Sequence, residues 1–295
     1  MFQYDDKKLK DQLLELIRRA ATDLPEDVVD SMRAAWKNEP EGSSARSVFG
    51  MLLKNIELAK AESIPMCQDT GTNIYLVYIP EGFSMRKLTA LIHEATEEAV
   101  EKSYLRPNAV DSITGKNSGN NLGEGQPFIH FEEWDEDYIE FKIMLKGGGC
   151  ENVSTQYKLP DVDLGADRDM DGVYKVIVDA VNEAQGQGCA PGILGIGIGG
   201  DRASSSLAAK IQLYRKLPDT NENAEMAKME SKLLADLNEL GVGPMGFGGK
   251  TTILGVKIGS LHRLPASFFV SISYMCWAYR RRSMTLNAKG EVTYD

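Results

Sequence analysis

The hydrophobic pattern of this chain stops being purely helical near residue 62, and that change limits the possible folds more than any other feature. Up to about residue 62 the apolar residues recur at helical spacing. Leu9, Leu13, Leu14 and Ile17 share one face over residues 7–21. Pro25 suits the first turn of a second helix reaching about Lys37, since a first-turn residue needs no amide hydrogen. EPEGSS at 39–44 is a turn-rich link, and Val48, Leu52, Leu53, Ile56 and Ala59 make a third face over 45–61. Beyond that point short apolar runs take over. The pattern predicts strands at 73–79, 128–134, 138–146, 193–198, 252–258 and 268–275. Helical faces fall at 85–103, 173–184, 202–216 and 222–240, with Asp201 as an N-cap. Asp135-Glu136-Asp137 predicts a hairpin between the second and third strands. The expected fold is mixed α/β: a helical N-terminal part, 1–62, followed by a mixed-sheet α/β region, as one domain over 1–295.

Composition narrows the function classes. Of 295 residues, 43 are acidic and 33 basic, a net charge of 33 − 43 = −10. Nucleic-acid backbones need a basic face, so an acidic chain of this kind is not a general nucleic-acid binder. No apolar run approaches the roughly 20 residues of a membrane span, and the opening MFQYDDKKLKDQ has no signal-peptide core. A small-molecule protein of the cytoplasm is expected. The cysteines, Cys67, Cys150, Cys189 and Cys276, are far apart and form no CxxC pair. Buried inert thiols are the ordinary alternative. Convergence in space is the other, because an iron–sulfur cluster needs no short spacing.

Five segments carry candidate chemistry. MCQDTGT (66–72) packs a thiol, an amide, a carboxylate and hydroxyls just before a strand; an Asx turn at Asp69 would account for it structurally. KGGGCEN (146–152) leaves backbone N–H groups open to an anion, or is simply a flexible strand exit. GCAPGILGIGIGGD (188–201) resembles a dinucleotide fingerprint, but its glycines lie within the strand and no acidic partner follows. GVGPMGFGGKTT (241–252) ends like a P-loop. Its first glycine position is Pro244, and a helix precedes it where a strand should. CWAYRRR (276–282) puts a cysteine at a strand end, before arginines that could grip a carboxylate or form a solvated patch. His93 and His130 fall within a helix and a strand, which excludes a zinc-like cluster.

Taken in order, these segments resemble the class I, iron–sulfur-dependent fumarate hydratase and L(+)-tartrate dehydratase α-type domain, from about Met66 to the C-terminus. The resemblance implies a [4Fe–4S] cluster held by Cys67, Cys189 and Cys276. Three thiolates leave one iron open to act as a Lewis acid. Cys150 stands where fumarase-like members often carry Ser and tartrate-type members carry GGGC, so it is read as a non-ligand near the site. The implied reaction is reversible hydration of fumarate to L-malate, a small dicarboxylate. Asp69 would deliver the proton to oxygen, Gln68 would hydrogen-bond the substrate, Arg106 in YLRPNAV would bind its carboxylate, and Gly149 would offer its N–H. The family often has a histidine twelve residues before the last cluster cysteine. That place is Leu264 here, with His262 two residues away to take the role.

Members of the family also need a further domain, as a β-subunit or a C-terminal extension, which supplies the proton-abstracting base. The expected assembly is an α homodimer within an αβ heterotetramer. L(+)-tartrate dehydratase and mesaconate hydratase are alternatives within the class. A non-catalytic iron–sulfur redox sensor and a nucleotide-dependent enzyme using 195–200 are alternatives from other classes.

Overall fold

The computed structural model describes residues 4–295. The chain divides into two compact units. One comprises Met1–Pro25, Lys54–Gly147 and Ala278–Asp295, and the other comprises Glu26–Leu53 and Gly148–Trp277.

The first unit is a five-stranded sheet covered by two helices. Its strands are β1 (Thr72–Pro80), β2 (Phe128–Trp134), β3 (Tyr138–Lys146), β8 (Arg281–Asn287) and β9 (Val292–Tyr294), in the order β2-β1-β3-β8-β9. Helix α1 (Asp6–Thr22) starts at Asp5, whose carboxylate accepts the Lys8 N–H at 2.8 Å. The second helix, α4 (Met85–Glu101), is capped by Ser84. Alternation in the strands aims Tyr75, Val77 and Ile79 of β1, Ile139, Phe141 and Ile143 of β3, and Met284 and Leu286 of β8 at one core. Leu9, Leu13 and Ile17 of α1 and Leu88 and Ile92 of α4 close that core.

The hairpin expected at 135–137 does not form. β1 lies between the two strands, parallel to β2 and antiparallel to β3, and the three-residue link crosses over its end. Burial explains the choice. β1 is buried along most of its length and takes the inner place, whereas β2 is half exposed and suits an edge. Trp134 secures the crossing: its Nε1–H donates to the Tyr138 carbonyl at 2.9 Å, and the two rings meet edge to face.

The second unit has a four-stranded sheet in the order β4-β7-β5-β6. Its strands are β4 (Thr155–Lys158), β5 (Gly192–Ile198), β6 (Ile253–Ser260) and β7 (Phe269–Met275). Helices α2 (Glu26–Asn38), α6 (Met170–Ala184), α7 (Arg202–Gln212) and α8 (Ala224–Asn238) belong here, with the five-residue α5 (Gly148–Asn152). Helix α3 (Ser44–Glu62) begins in this unit and ends in the other. Leu194, Ile196 and Ile198 of β5 face α6 and α8, alongside Val256, Ile258, Val270 and Ile272. The opposite face of β5 is glycine. A Cβ at Gly195 would stand 2.1 Å from the Ala209 carbonyl oxygen, and one at Gly197 2.2 Å from that of Ser205. These glycines let α7 lie flush on the strand, which accounts for the fingerprint-like spelling without a nucleotide. Both sheets are mixed, as the sequence predicts.

Candidate active site

The CQDTG segment is held in place before its side chains are considered. The Met66 N–H donates to the Ala21 carbonyl at 3.2 Å, and its own carbonyl accepts Asn55 Nδ2 at 2.7 Å. Arg280 Nη1 donates to the Asp69 carbonyl at 2.8 Å, from a side chain that is 1% exposed. Thr70, fully buried, accepts the Arg106 N–H at 3.1 Å and Asn108 Nδ2 at 2.9 Å through its hydroxyl. Gly71 closes the bend at φ +79°, where a side chain is strained, and a Cβ there would meet the backbone of Leu145 and Lys146 at 2.9 Å.

On that scaffold Gln68 and Asp69 are exposed and Cys67 is half-buried. The Asx turn is present: Asp69 Oδ1 accepts the Gly71 N–H at 2.9 Å. The turn engages Oδ1. The other oxygen, Oδ2, lies where a Cβ at Gly147 would approach to 2.8 Å. Arg106 Nη1 donates to the Gln68 carbonyl at 3.2 Å. Gln68 and Asp69 of one motif and Arg106 of a distant one are therefore joined within the first unit, through the Arg106 bond to the Gln68 carbonyl.

The second unit holds Cys150, Cys189 and Cys276. Cys189 is half-buried in a left-handed backbone conformation at φ +56°, and its carbonyl accepts the Trp277 N–H at 3.2 Å. Cys150 is buried, with Sγ 4.0 Å from the Gly188 carbonyl. Tyr274 packs under this segment. A Cβ at Gly188 or Gly192 would come within 2.5 or 2.3 Å of its ring. Burial pushes its phenol well above the ordinary tyrosine value, and the neighbouring Cys276, Cys150 and Cys189 push it further. Its hydroxyl is buried without a hydrogen-bond partner.

Gly149 lies exposed in the first turn of α5, so the glycine run is a short helix and not an open strand exit. His262 is exposed on the loop after β6, and its carbonyl accepts the Gly200 N–H at 3.2 Å.

Among the described residues no group of three or more His, Cys, Asp and Glu side chains converges as ligands of one metal ion do. A cubane cluster makes a different demand. Each thiolate binds a different iron, so the sulfurs stand farther apart than ligands sharing one ion. The donor set here is thiol throughout, and the orphaned Tyr274 hydroxyl over two side-chain-free glycines is a polar contact awaiting an acceptor. The residues fit a sulfur-rich group.

Two segments prove structural. Arg281 and Arg282 are not a solvated patch: they open β8, and Arg282 donates to the Asp23 and Leu24 carbonyls at 2.9 and 3.1 Å. The P-loop-like GGKTT is filled from within. The carboxylate of Glu39, 1% exposed, accepts the Lys250 N–H at 2.9 Å and the Thr251 N–H at 3.1 Å. Sequence reasoning noted Thr70 and Arg280 within their motifs but missed the contacts through which they hold the loop, and it missed Tyr274 altogether. Alternation of Met284 and Leu286 after the arginines was a readable strand signal. Nothing in the local sequence marks the Thr70 contacts or Tyr274.

The described residues thus form a two-unit mixed α/β chain with an exposed acid and an exposed arginine that meet at the Gln68 loop. Comparison with known proteins is more specific. Residues 10–285 match the fumarate hydratase (fumerase) family. A Geobacillus stearothermophilus protein provisionally named a class I fumarate hydratase is 44% identical over 290 residues, 97% of this chain and 56% of that protein. A Methanocaldococcus jannaschii protein provisionally named L(+)-tartrate dehydratase subunit alpha is 35% identical over 96% of this chain and 99% of its own length. The L(+)-tartrate dehydratase subunit alpha of Escherichia coli K12 is 29% identical over 98% and 93%. The chain belongs to the fumarate hydratase family. It spans a little over half of the Geobacillus relative and nearly all of the two alpha subunits. No helix among the described residues is long and apolar enough to cross a membrane.

Proposed function

We propose that this chain is the cluster-binding half of a cytoplasmic hydro-lyase that interconverts fumarate and L-malate. Cys67, Cys189 and Cys276 hold a [4Fe–4S] cluster, and Cys150 is a bystander. When bound, the cluster supplies a Lewis acid that weakens the substrate C–O bond. The chain's own residues do the rest. Arg106 pairs with a substrate carboxylate, and Gln68 and the Gly149 N–H hydrogen-bond the substrate and fix its rotation. Asp69 gives its proton to the departing hydroxyl oxygen, which leaves as water, and takes it back in the hydration direction. The carbon-bound proton goes to a base outside this chain. His262 assists from the loop after β6. The partner is a β-subunit or a C-terminal extension, in an αβ heterotetramer built on an α homodimer.

The observation that carries this reading is the tethered loop. It presents the Asp69 carboxylate, with Oδ1 engaged in a turn and Oδ2 beside Gly147, while Arg106 reaches the Gln68 carbonyl of the same loop from the segment after α4. A second reading, L(+)-tartrate dehydratase, is supported by the near-complete coverage of two alpha subunits of that name. The test is an anaerobic assay of the reconstituted chain with its other half, on fumarate, mesaconate and L(+)-tartrate. Fumarate turnover is expected, falling about 10²-fold or more in Asp69→Asn. Preference for tartrate or mesaconate selects the other substrates. A stable cluster without turnover of any of the three points to a sensor instead. In parallel, Cys67→Ser, Cys189→Ser and Cys276→Ser should lose the visible absorbance that Cys150→Ser keeps. Equal loss in all four would refute the ligand set.

A further inference from the structure

Buried hydroxyls almost always find a hydrogen-bond partner, because a donor removed from water gives up the bonds it had there. Tyr274 is an exception. It is 1% exposed, and its hydroxyl has no partner within the protein. The residue is firmly placed. Its amide donates to Ser154 Oγ at 3.0 Å, and β7 holds it opposite Leu194 of β5. Its ring runs from Gly188 to Gly192, so that a Cβ on the first would meet a ring carbon at 2.5 Å and one on the second would stand 2.4 Å from the hydroxyl oxygen. Those two glycines bracket Cys189. Cys276 follows Tyr274 by two residues, and Cys150 reaches the Gly188 carbonyl from α5. A phenylalanine would fill the same space without burying an unpaired donor. Tyr75 also buries a hydroxyl without a partner, but in an apolar core, whereas Tyr274 lies among three cysteines, where an acceptor can arrive.

We propose that Tyr274 is a positioning residue for the group the cysteines hold, its hydroxyl donating a hydrogen bond to a sulfur of that group. This rests on the reading that the chain binds an iron–sulfur cluster. A hydrogen bond to sulfur draws charge away from it and favours the reduced state, so the donor raises the reduction potential and slows loss of the group. Tyr274 neither touches the substrate nor carries its proton.

The chain is reconstituted anaerobically as wild type, Tyr274→Phe and, as a control from the other unit, Tyr75→Phe. Iron and sulfide per chain, the electron paramagnetic resonance spectrum of the reduced protein and the midpoint potential are measured, none of which depends on turnover. Tyr274→Phe is expected to take up the cluster, to show a more negative midpoint with shifted g-values, and to lose iron faster to a chelator. Tyr75→Phe should match the wild type. A Tyr274→Phe protein with unchanged potential and spectrum overturns the proposal and leaves cluster binding standing. A wild-type chain that takes up neither iron nor sulfide overturns both. Should Tyr274→Phe fail to fold, 3-fluorotyrosine at position 274 keeps the ring and strengthens the donor. Its midpoint is then expected to move positive, and no movement overturns the proposal.

Discussion

Asp69 owes its orientation to the absence of a side chain at residue 147. A methyl group on Gly147 would stand 2.8 Å from Oδ2 of Asp69 and 3.8 Å from Nη2 of Arg280. Gly147→Ala should therefore turn the carboxylate away and lower turnover about 10- to 100-fold, since a 1 Å misplacement can cost that much. Its melting temperature should stay close to wild type, because the backbone at 147 is not in a glycine-only region. Gly71→Ala should do the opposite. At φ +79° and against the β3 backbone it should cost about 1–3 kcal/mol of stability by denaturant titration. A Gly147→Ala protein with full activity would show that Asp69 needs no defined pose. Cys67, Gln68 and Asp69 stand out in the sequence because they are crowded into one heptapeptide. Their supports do not. Thr70 and Arg280 act through contacts with residues 36 and 211 positions distant, and no local pattern encodes such a contact.

At the scale of elements, most helices and strands sit where hydrophobic period places them, because period reports which face meets a core. Pairing is less legible. The segments at 128–134 and 138–146 are strands, yet the short link between them spans a third strand, and only the burial of β1 decides that. The glycine runs that spelled poor nucleotide motifs have structural causes. In β5 they admit a helix, and the Lys250 and Thr251 amides receive an internal carboxylate. Within α1, Glu15 accepts hydrogen bonds from Arg18 and Arg19 at 2.7 and 2.8 Å. The bond from Arg18 is the larger cause holding its carboxyl below the ordinary value of 4.5, and that from Arg19 adds to it. A lowered folded-state value means the ionised form favours the fold. The contribution is complete above pH 4.5 and disappears as pH falls through the folded value. Thermal melts of Glu15→Gln should lie below wild type at neutral pH, and the gap should close as the solution is acidified past pH 4.5. A gap independent of pH would mean the pair contributes packing alone.

At the scale of the whole molecule, this chain matches 56% of one relative and 93–99% of two named as alpha subunits. The base for the carbon-bound proton is proposed to lie outside this chain. The isolated chain should accordingly show at least 10²-fold less fumarate hydration than the chain with its other half, as expected when a general base is missing. Air should inactivate the assembled enzyme, and iron with a reductant should restore it. Full turnover by the chain alone, or indifference to oxygen and chelators, would overturn that account. The sequence by itself determined the α/β class, the helical start and the family. Each of these is written either in local periodicity or in contiguous motifs. Only the tertiary structure decided which strand lies between which, that an arginine run is buried and not a solvated patch, and that Glu39 fills the amide nest of a glycine loop. Those outcomes depend on which distant groups compete for the same buried space and the same hydrogen bonds. That competition is settled only when the chain has closed on itself.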